Sequence, residues 1–227
     1  MEQVSATFHV EQDPREAARL GELIELGLAE LALPTEATPQ LARLAIHVSR
    51  WAERLNLTAH RSPEAVARRL ILDAIALGCA LPAKIPQSIA DLGSGAGFPG
   101  LPLAILWPGC RVTLVDARER RHHFQRSALR LLRLGNVQAL RGRAEEVPHE
   151  THEVAIAQAM AQPSLALTWL RDWVQSDGWI VLPQSAPASG EAPQIEVPAG
   201  VRWLETRSYQ VPLGGPRRSL WIGQRSD

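Results

Sequence analysis

The sequence predicts an α/β protein: a seven-stranded, mostly parallel sheet with helices on both faces and an N-terminal helical extension. Three observations carry this. Apolar residues recur at helical spacing through residues 14–80. From Ser88 to Leu182 short apolar strands alternate with helical segments, the order that builds parallel βαβ units. One strand runs directly into a glycine-rich turn and a helix, Asp91-Leu92-Gly93-Ser94-Gly95-Ala96-Gly97-Phe98-Pro99-Gly100. The expected division is an extension over 1–60 and the α/β domain over 61–227.

The elements follow in order. Pro14 to Leu31 places Ala17, Leu20, Leu23, Ile24, Leu26 and Leu28 at broadly helical spacing, and Pro34 breaks the helix. A second helix is expected from Thr38 to Leu55, with Thr38 as N-cap and Pro39 at the first helical position. A third begins near Ser62-Pro63-Glu64 and ends near Ala80, before Pro82 and Pro86. Strands follow at Ser88–Leu92, Arg111–Val115, Val137–Leu140, Val154–Ala157 and Trp179–Leu182. Helices lie between them at Pro99–Leu106, Arg118–Leu134 and Pro163–Val174. Residues 186–198, rich in Pro, Ala, Ser and Gly, are expected as a loop. Two last strands, Val201–Val211 and Ser219–Gly223, flank Gly214-Gly215-Pro216 and read as an antiparallel pair at the sheet edge.

Composition narrows the function classes. Lys plus Arg and Asp plus Glu are 24 each, so net charge argues neither for nucleic acid nor for membrane. Met1 to Val10 is polar, so no signal peptide is expected, and no apolar run approaches a membrane span. The two cysteines, Cys79 and Cys110, have neither metal nor disulfide spacing. They read as small core residues in a reducing, cytoplasmic setting. The seven histidines show no metal-ligand spacing, so no metal is expected, and His122-His123 reads as a solvated helix face. Trp107, Trp169, Trp173 and Trp179 fall in apolar periodic segments and are expected in the core. Trp51 is placed to pack the N-terminal helices onto the rest.

The glycine turn is the chemically informative segment. Glycines let backbone turn tightly and approach a ligand, and a helix N-terminus offers free N–H groups. Asp116, ending the next strand, stands where a carboxylate would accept ribose hydroxyls. Two cofactor classes fit. Gly95-x-Gly97-x-x-Gly100 matches the dinucleotide fingerprint, whereas Asp91 followed by Gly93-x-Gly95-x-Gly97 matches the S-adenosylmethionine pattern. A carboxylate beside the turn suits a cationic amino-acid end and repels a pyrophosphate, which favours S-adenosylmethionine. A ligand-free connector is the third reading. Between Arg111 and Arg143 arginines dominate. A solvated face explains part of this run. Arg120, Arg121 and Arg143 follow strand ends on the ligand side of such a sheet and fit phosphate binding. Arg217 and Arg218, in the last hairpin, fit the opposite wall.

From about Trp51 to Gly223 the chain resembles the bacterial small-subunit ribosomal RNA methyltransferase G family, also called the glucose-inhibited division protein B family. The resemblance rests on Asn56-Leu57-Thr58, Arg69 to Asp73, the run Asp91 to Pro102, Leu114-Val115-Asp116, Asn136-Val137 and Arg143-Ala144-Glu145-Glu146. It implies a Rossmann-like class I methyltransferase fold and S-adenosyl-L-methionine as cofactor. The implied reaction is methylation of guanine N7 in 16S rRNA, free or within the small ribosomal subunit; a monomer is expected. It further implies that Gly93 and Phe98 contact the cofactor, that Asp116 lies near its ribose, and that Ala144 and Glu145 lie near its adenine. Arg120, Arg143 and Arg217 or Arg218 match positions that approach RNA. The chain departs from the pattern at three places. Gln158 stands where the family has an arginine lining the cleft, Pro183-Gln184 where it has Lys-Gly, and Leu70 where it has His. These leave open a methyltransferase acting on another RNA, a small molecule or a protein, or a weakly active cofactor-binding paralogue. Guanine N7 carries an in-plane lone pair and no proton, so the implied reaction needs alignment and no general base.

Overall fold

A computed structural model describes residues 14–82, 85–158, 161–185 and 195–226. Its sheet has the seven strands that the sequence predicts. They are β1 (Ser88–Leu92), β2 (Arg111–Asp116), β3 (Val137–Arg141), β4 (His152–Ala157), β5 (Val174–Ser185), β6 (Val201–Gln210) and β7 (Arg217–Arg225). Their order is β3-β2-β1-β4-β5-β7-β6. β1 through β5 pair in parallel, and β7 runs antiparallel between β5 and β6. β1 is buried along its whole length and β2 from Val112 onward. That double burial explains why both read as continuous apolar runs and not as alternating ones. Chain order reverses between β1 and β4, which makes the carboxyl ends of these strands the topological switch point.

Most helices cover one face. α1 (Pro14–Glu30), α2 (Thr38–Ala52), α3 (Pro63–Val66), α4 (Leu72–Cys79), α5 (Gly100–Leu106) and α6 (Glu119–Leu132) contribute to one continuous core with Ile89, Val112, Leu114 and Ile156 of the sheet. The opposite face carries α7 (Pro163–Trp173), whose Leu167, Leu170 and Trp173 pack on Ala90, Leu92, Val115 and Ile180. The N-terminal helices are anchored directly on α6. Phe124, fully buried, lies against His47 and Trp51 with ring centroids 5.4 and 5.6 Å away. Gln40 Nε2 donates to Leu132 O at 2.8 Å, and Ser127 Oγ is 3.1 Å from His47 Nε2. Burial, with Arg50 adding to it, pushes the His47 imidazole down to about 4. Truncating a ring such as Phe124 to alanine costs about 3–5 kcal/mol.

Several expectations are corrected. Thr38 is not the N-cap of α2: Ala37 is, no side chain caps it, and buried Thr38 Oγ1 has no partner. α2 ends at Ala52, not near Leu55. The third helical stretch is interrupted by a π-helical turn at Ala67–Ile71, which composition does not signal. Ser62 starts that stretch as a true cap, accepting from Ala65 N at 3.2 Å. β4 begins earlier than expected because polar His152 is buried and its Nε2 lies 2.9 Å from Thr113 Oγ1. β5 begins at Val174, straight from α7. Cys110 is buried as expected, but Cys79 is exposed at the end of α4. His122 is half-buried, its Nε2 3.3 Å from Ala139 O, while His123 is exposed. Trp107 and Trp173 are buried, Trp169 and Trp179 partly so, and Trp51 packs as expected. The loop expected at 186–198 falls over 186–194 outside the described residues, as does the polar stretch Met1 to Val10.

Candidate active site

The glycine turn leaves β1 at the switch point and enters α5. Gly93, Gly95 and Gly97 take φ of +66°, +57° and +78°, the left-handed region that favours glycine. Gly97 N and Phe98 N both donate to Ser94 O, at 2.7 and 3.0 Å. The glycines differ in what a side chain would meet. A Cβ on Gly97 would stand 2.4 Å from Leu101 Cδ1, and one on Gly100 2.4 Å from Leu114 Cδ2. A Cβ on Gly95 would come no closer than 3.8 Å to any atom. Gly97 and Gly100 are thus glycines for packing. Gly95 turns its open side outward, a cradle that a ligand can fill.

Two carboxylates flank the turn in different roles. Asp91 was expected beside the cofactor. It is fully buried, and its Oδ2 accepts from Gly100 N at 2.8 Å. It therefore clamps the turn onto α5 from beneath and acts on a ligand only through the backbone. Its Oδ1 has no partner. Burial, opposed by the Gly100 N–H and helped by Asp116, pushes its carboxyl up to about 8. Asp116, at the end of β2, accepts from Gly95 N at 3.0 Å through Oδ2 and from Arg118 N at 2.8 Å through Oδ1. Arg121 Nη1 adds an ion pair to Oδ2 at 3.1 Å. Asp116 ends the next strand, as the sequence predicts, and lies against Gly95.

Two supports of this site carry no sequence signature. Gln125 is fully buried on α6, and its Nε2 donates to Ser94 Oγ and Gly95 O, both at 2.9 Å. It fixes the turn from outside. The signal available is faint: one amide among Phe124, Ala128 and Leu132, the buried residues of that helix. Trp173 Nε1 donates to Ala144 O at 2.9 Å, so α7 positions the segment after β3. Ala144 is buried, and Glu145 is exposed with its carboxylate 3.8 Å from Arg143 Nη1. Phe98 is half-buried and packs on the helical core, while Gln158 is exposed just beyond β4.

The arginines divide. Arg120 and Arg143 are exposed after the ends of β2 and β3, and exposed Arg217 starts β7 beside the end of β5, all at the carboxyl edge of the parallel strands. Arg218 is otherwise engaged. Its Nε and Nη2 reach Asp73 Oδ2 at 3.2 and 3.0 Å, while Tyr209 Oη donates to Asp73 Oδ1 at 3.0 Å. That network ties β6 and β7 to α4 and pairs the charge of Arg218, expected at the RNA wall, with a buried carboxylate. Arg121 likewise faces Asp116. A cleft of about 440 Å³ opens beside it, between the chain after α2 and the start of α6, and Arg54, Asn56, Arg61, Arg118 and Arg120 contribute to its walls. Of these, Arg54, Arg61 and Arg118 were not singled out by the sequence, since only folding brings the chain after α2 against α6. Leu70 lies in the π turn and Pro183 within β5, both half-buried. Among the described residues, no cluster of three or more His, Cys, Asp or Glu is placed to hold a metal ion. Among them too, no helix is long and apolar enough to cross a membrane.

Comparison with known proteins shows the family and the fold. The family model described as rRNA small subunit methyltransferase G matches residues 37–208. A ribosomal RNA small subunit methyltransferase G of Stenotrophomonas maltophilia (strain K279a) is 41% identical over 207 residues, 90% of this chain and 95% of that protein. One of Chromohalobacter salexigens is 34% identical over 201 residues, 87% of this chain and 93% of that protein. Among solved structures, a SAM dependent methyltransferase from Aquifex aeolicus superposes with a TM-score of 0.54 at 14% identity, covering 78% of this chain and 98% of that one. That last likeness is one of fold.

Proposed function

The chain belongs to the rRNA small subunit methyltransferase G family, and on that premise we propose that it methylates N7 of a guanine in small-subunit (16S) ribosomal RNA. It is an S-adenosylmethionine-dependent methyltransferase with a Rossmann-like fold. The observation that carries the reading is the meeting of Gly95 with Asp116 at the switch point, with a basic cleft opening beside them. Gly93, Gly95 and Phe98 would hold the cofactor along the turn that Gly97 shapes, with Asp116 at its ribose and Ala144 and Glu145 at its adenine. Bound cofactor supplies an electrophilic methyl group on a sulfonium. The chain supplies alignment. Gln125 and Asp91 keep the turn from yielding, and Trp173 keeps the adenine segment in place. Guanine N7 has no proton to lose, so no side chain has to act as a base. Arg120, Arg143 and Arg217 support the ribosomal reading as phosphate contacts at the rim.

The departures at Gln158, Pro183 and Leu70 favour one other reading, a methyltransferase on a different RNA, small molecule or protein. Mapping 7-methylguanosine in small-subunit rRNA from cells with and without the gene decides between them. A guanine that loses its N7 methyl with the gene is the expected result. Identical maps, from a protein that still binds S-adenosylmethionine, would overturn the ribosomal reading.

A further inference from the structure

Arg121 stands between two sites. Its guanidinium is bonded to Asp116 Oδ2, and the same side chain lines the cleft with Arg61, Arg118 and Arg120. The hydrogen-bonding capacity of Asp116 makes this consequential. Each carboxylate oxygen offers about two lone-pair sites. Gly95 N and Arg121 Nη1 fill Oδ2, and Arg118 N takes one site on Oδ1. One acceptor position remains, whereas a ribose presents two adjacent hydroxyls. Asp116 can accept both hydroxyls only when one present donor leaves. Gly95 N cannot, because Gln125 pins Gly95 O and Ser94 N is bonded to Val115 O at 3.0 Å. Arg118 N belongs to the backbone that starts α6. Arg121 is a long side chain, 29% exposed where Asp116 is 4% exposed, and the cleft it would enter is adjacent.

We infer that Arg121 couples cofactor binding to RNA binding: it holds Asp116 Oδ2 until the ribose takes that position, then turns into the cleft and adds its charge to the phosphate-binding wall. This rests on reading Asp116 as the ribose ligand and the cleft as facing RNA. Each ligand then removes a cost that the other would meet, so each tightens the other by the same factor.

The test is calorimetric titration of S-adenosylhomocysteine, which keeps the ribose and cannot turn over. It is run on wild type, Arg121→Met and Arg121→Lys, with and without a saturating small-subunit rRNA fragment. Wild type is expected to bind about fivefold more tightly or better with RNA present. Without RNA, Arg121→Met is expected to bind several-fold more tightly than wild type, because the competitor is gone, and to show a coupling factor near one. Arg121→Lys, which can serve both anions, keeps most of the coupling. A merely structural arginine would give looser binding on removal. Thermal unfolding checks each variant, and Arg121→Gln replaces Arg121→Met where that variant fails to fold. Equal or weaker cofactor binding by the neutral variant without RNA, or a coupling factor it leaves unchanged, overturns the inference. Should the fragment bind no form of the protein, the ribosomal reading falls separately, and the RNA-free comparison alone decides whether Arg121 competes for Asp116.

Discussion

Gly95 and Gly100 lie five positions apart in one turn, yet alanine at each should fail in a different way. At Gly100 a Cβ lands 2.4 Å from Leu114 Cδ2 and 2.9 Å from Asp91 Oδ2, both in the interior. Overpacking of this kind costs about 1–3 kcal/mol. For a chain of this size that is a fall in Tm of about 2–4 °C per kcal/mol. At Gly95 the Cβ meets nothing within 3.8 Å, so the intrinsic penalty is the left-handed backbone, φ +57°, worth about 1–2 kcal/mol. The same Cβ points into the space assigned to the cofactor. A clash there of about 1–3 kcal/mol weakens binding roughly 5- to 150-fold, beyond any loss of stability. Gly95→Ala is therefore expected to remain folded and lose S-adenosylhomocysteine affinity. Gly100→Ala is expected to lose stability and, where folded, to bind within a few-fold of wild type. Thermal unfolding and calorimetry on the two variants separate these outcomes. A folded Gly95→Ala protein that binds like wild type would refute the assignment of the open side of the turn.

Three further outcomes follow from other parts of the molecule. Arg218→Ala strips a buried carboxylate of its cation and should lower stability by about 2 kcal/mol in denaturant titration, with rRNA affinity little changed; a large RNA effect without a stability loss would place Arg218 at the RNA wall. Neutralising Arg120 and Arg143 together should weaken rRNA binding and flatten its log–log salt slope by roughly one to two units, with cofactor affinity nearly unchanged; an unaltered slope would make them a solvated rim. Asp91 titrates at about 8 in the fold against 3.8 unfolded. The folded value is raised, so its contribution is complete below 3.8 and is lost as pH rises towards 8. Asp91→Asn should therefore gain stability relative to wild type across that window, and parallel stability curves would contradict the burial argument.

What the sequence made legible was what short stretches of chain determine. Strand, glycine turn and helix from Ser88 to Leu106 are contiguous, and Asp116 follows from the same βαβ arithmetic, so both landed where expected. Seven strands and the antiparallel edge pair followed from alternation and turn residues. What stayed hidden depends on partners far along the chain. Arg218 reads as one more exposed hairpin arginine until the fold sets it on Asp73, 145 residues away. Arg61 becomes a wall of the cleft only because α2 and the chain after it lie on α6. Gln125 and Trp173 look like ordinary helix residues, and their roles exist only through Gly95 O and Ala144 O. Thr38-Pro39 has the letters of a helix start, but packing buried the threonine one position too late to cap.

The uneven covering of the sheet has a consequence for how the protein fails on heating. Among the described residues, one helix, α7, covers the second face, and its last residue, Trp173, is the hydrogen-bond donor to Ala144. The other face has six helical segments locked into a single interior. Loosening α7 would release Ala144, the proposed adenine wall, while that larger interior stays intact. If Ala144 lines the cofactor site as proposed, warming should weaken S-adenosylhomocysteine binding some degrees before the chain melts, through Pro163–Trp173 alone, and calorimetry set against thermal unfolding checks it.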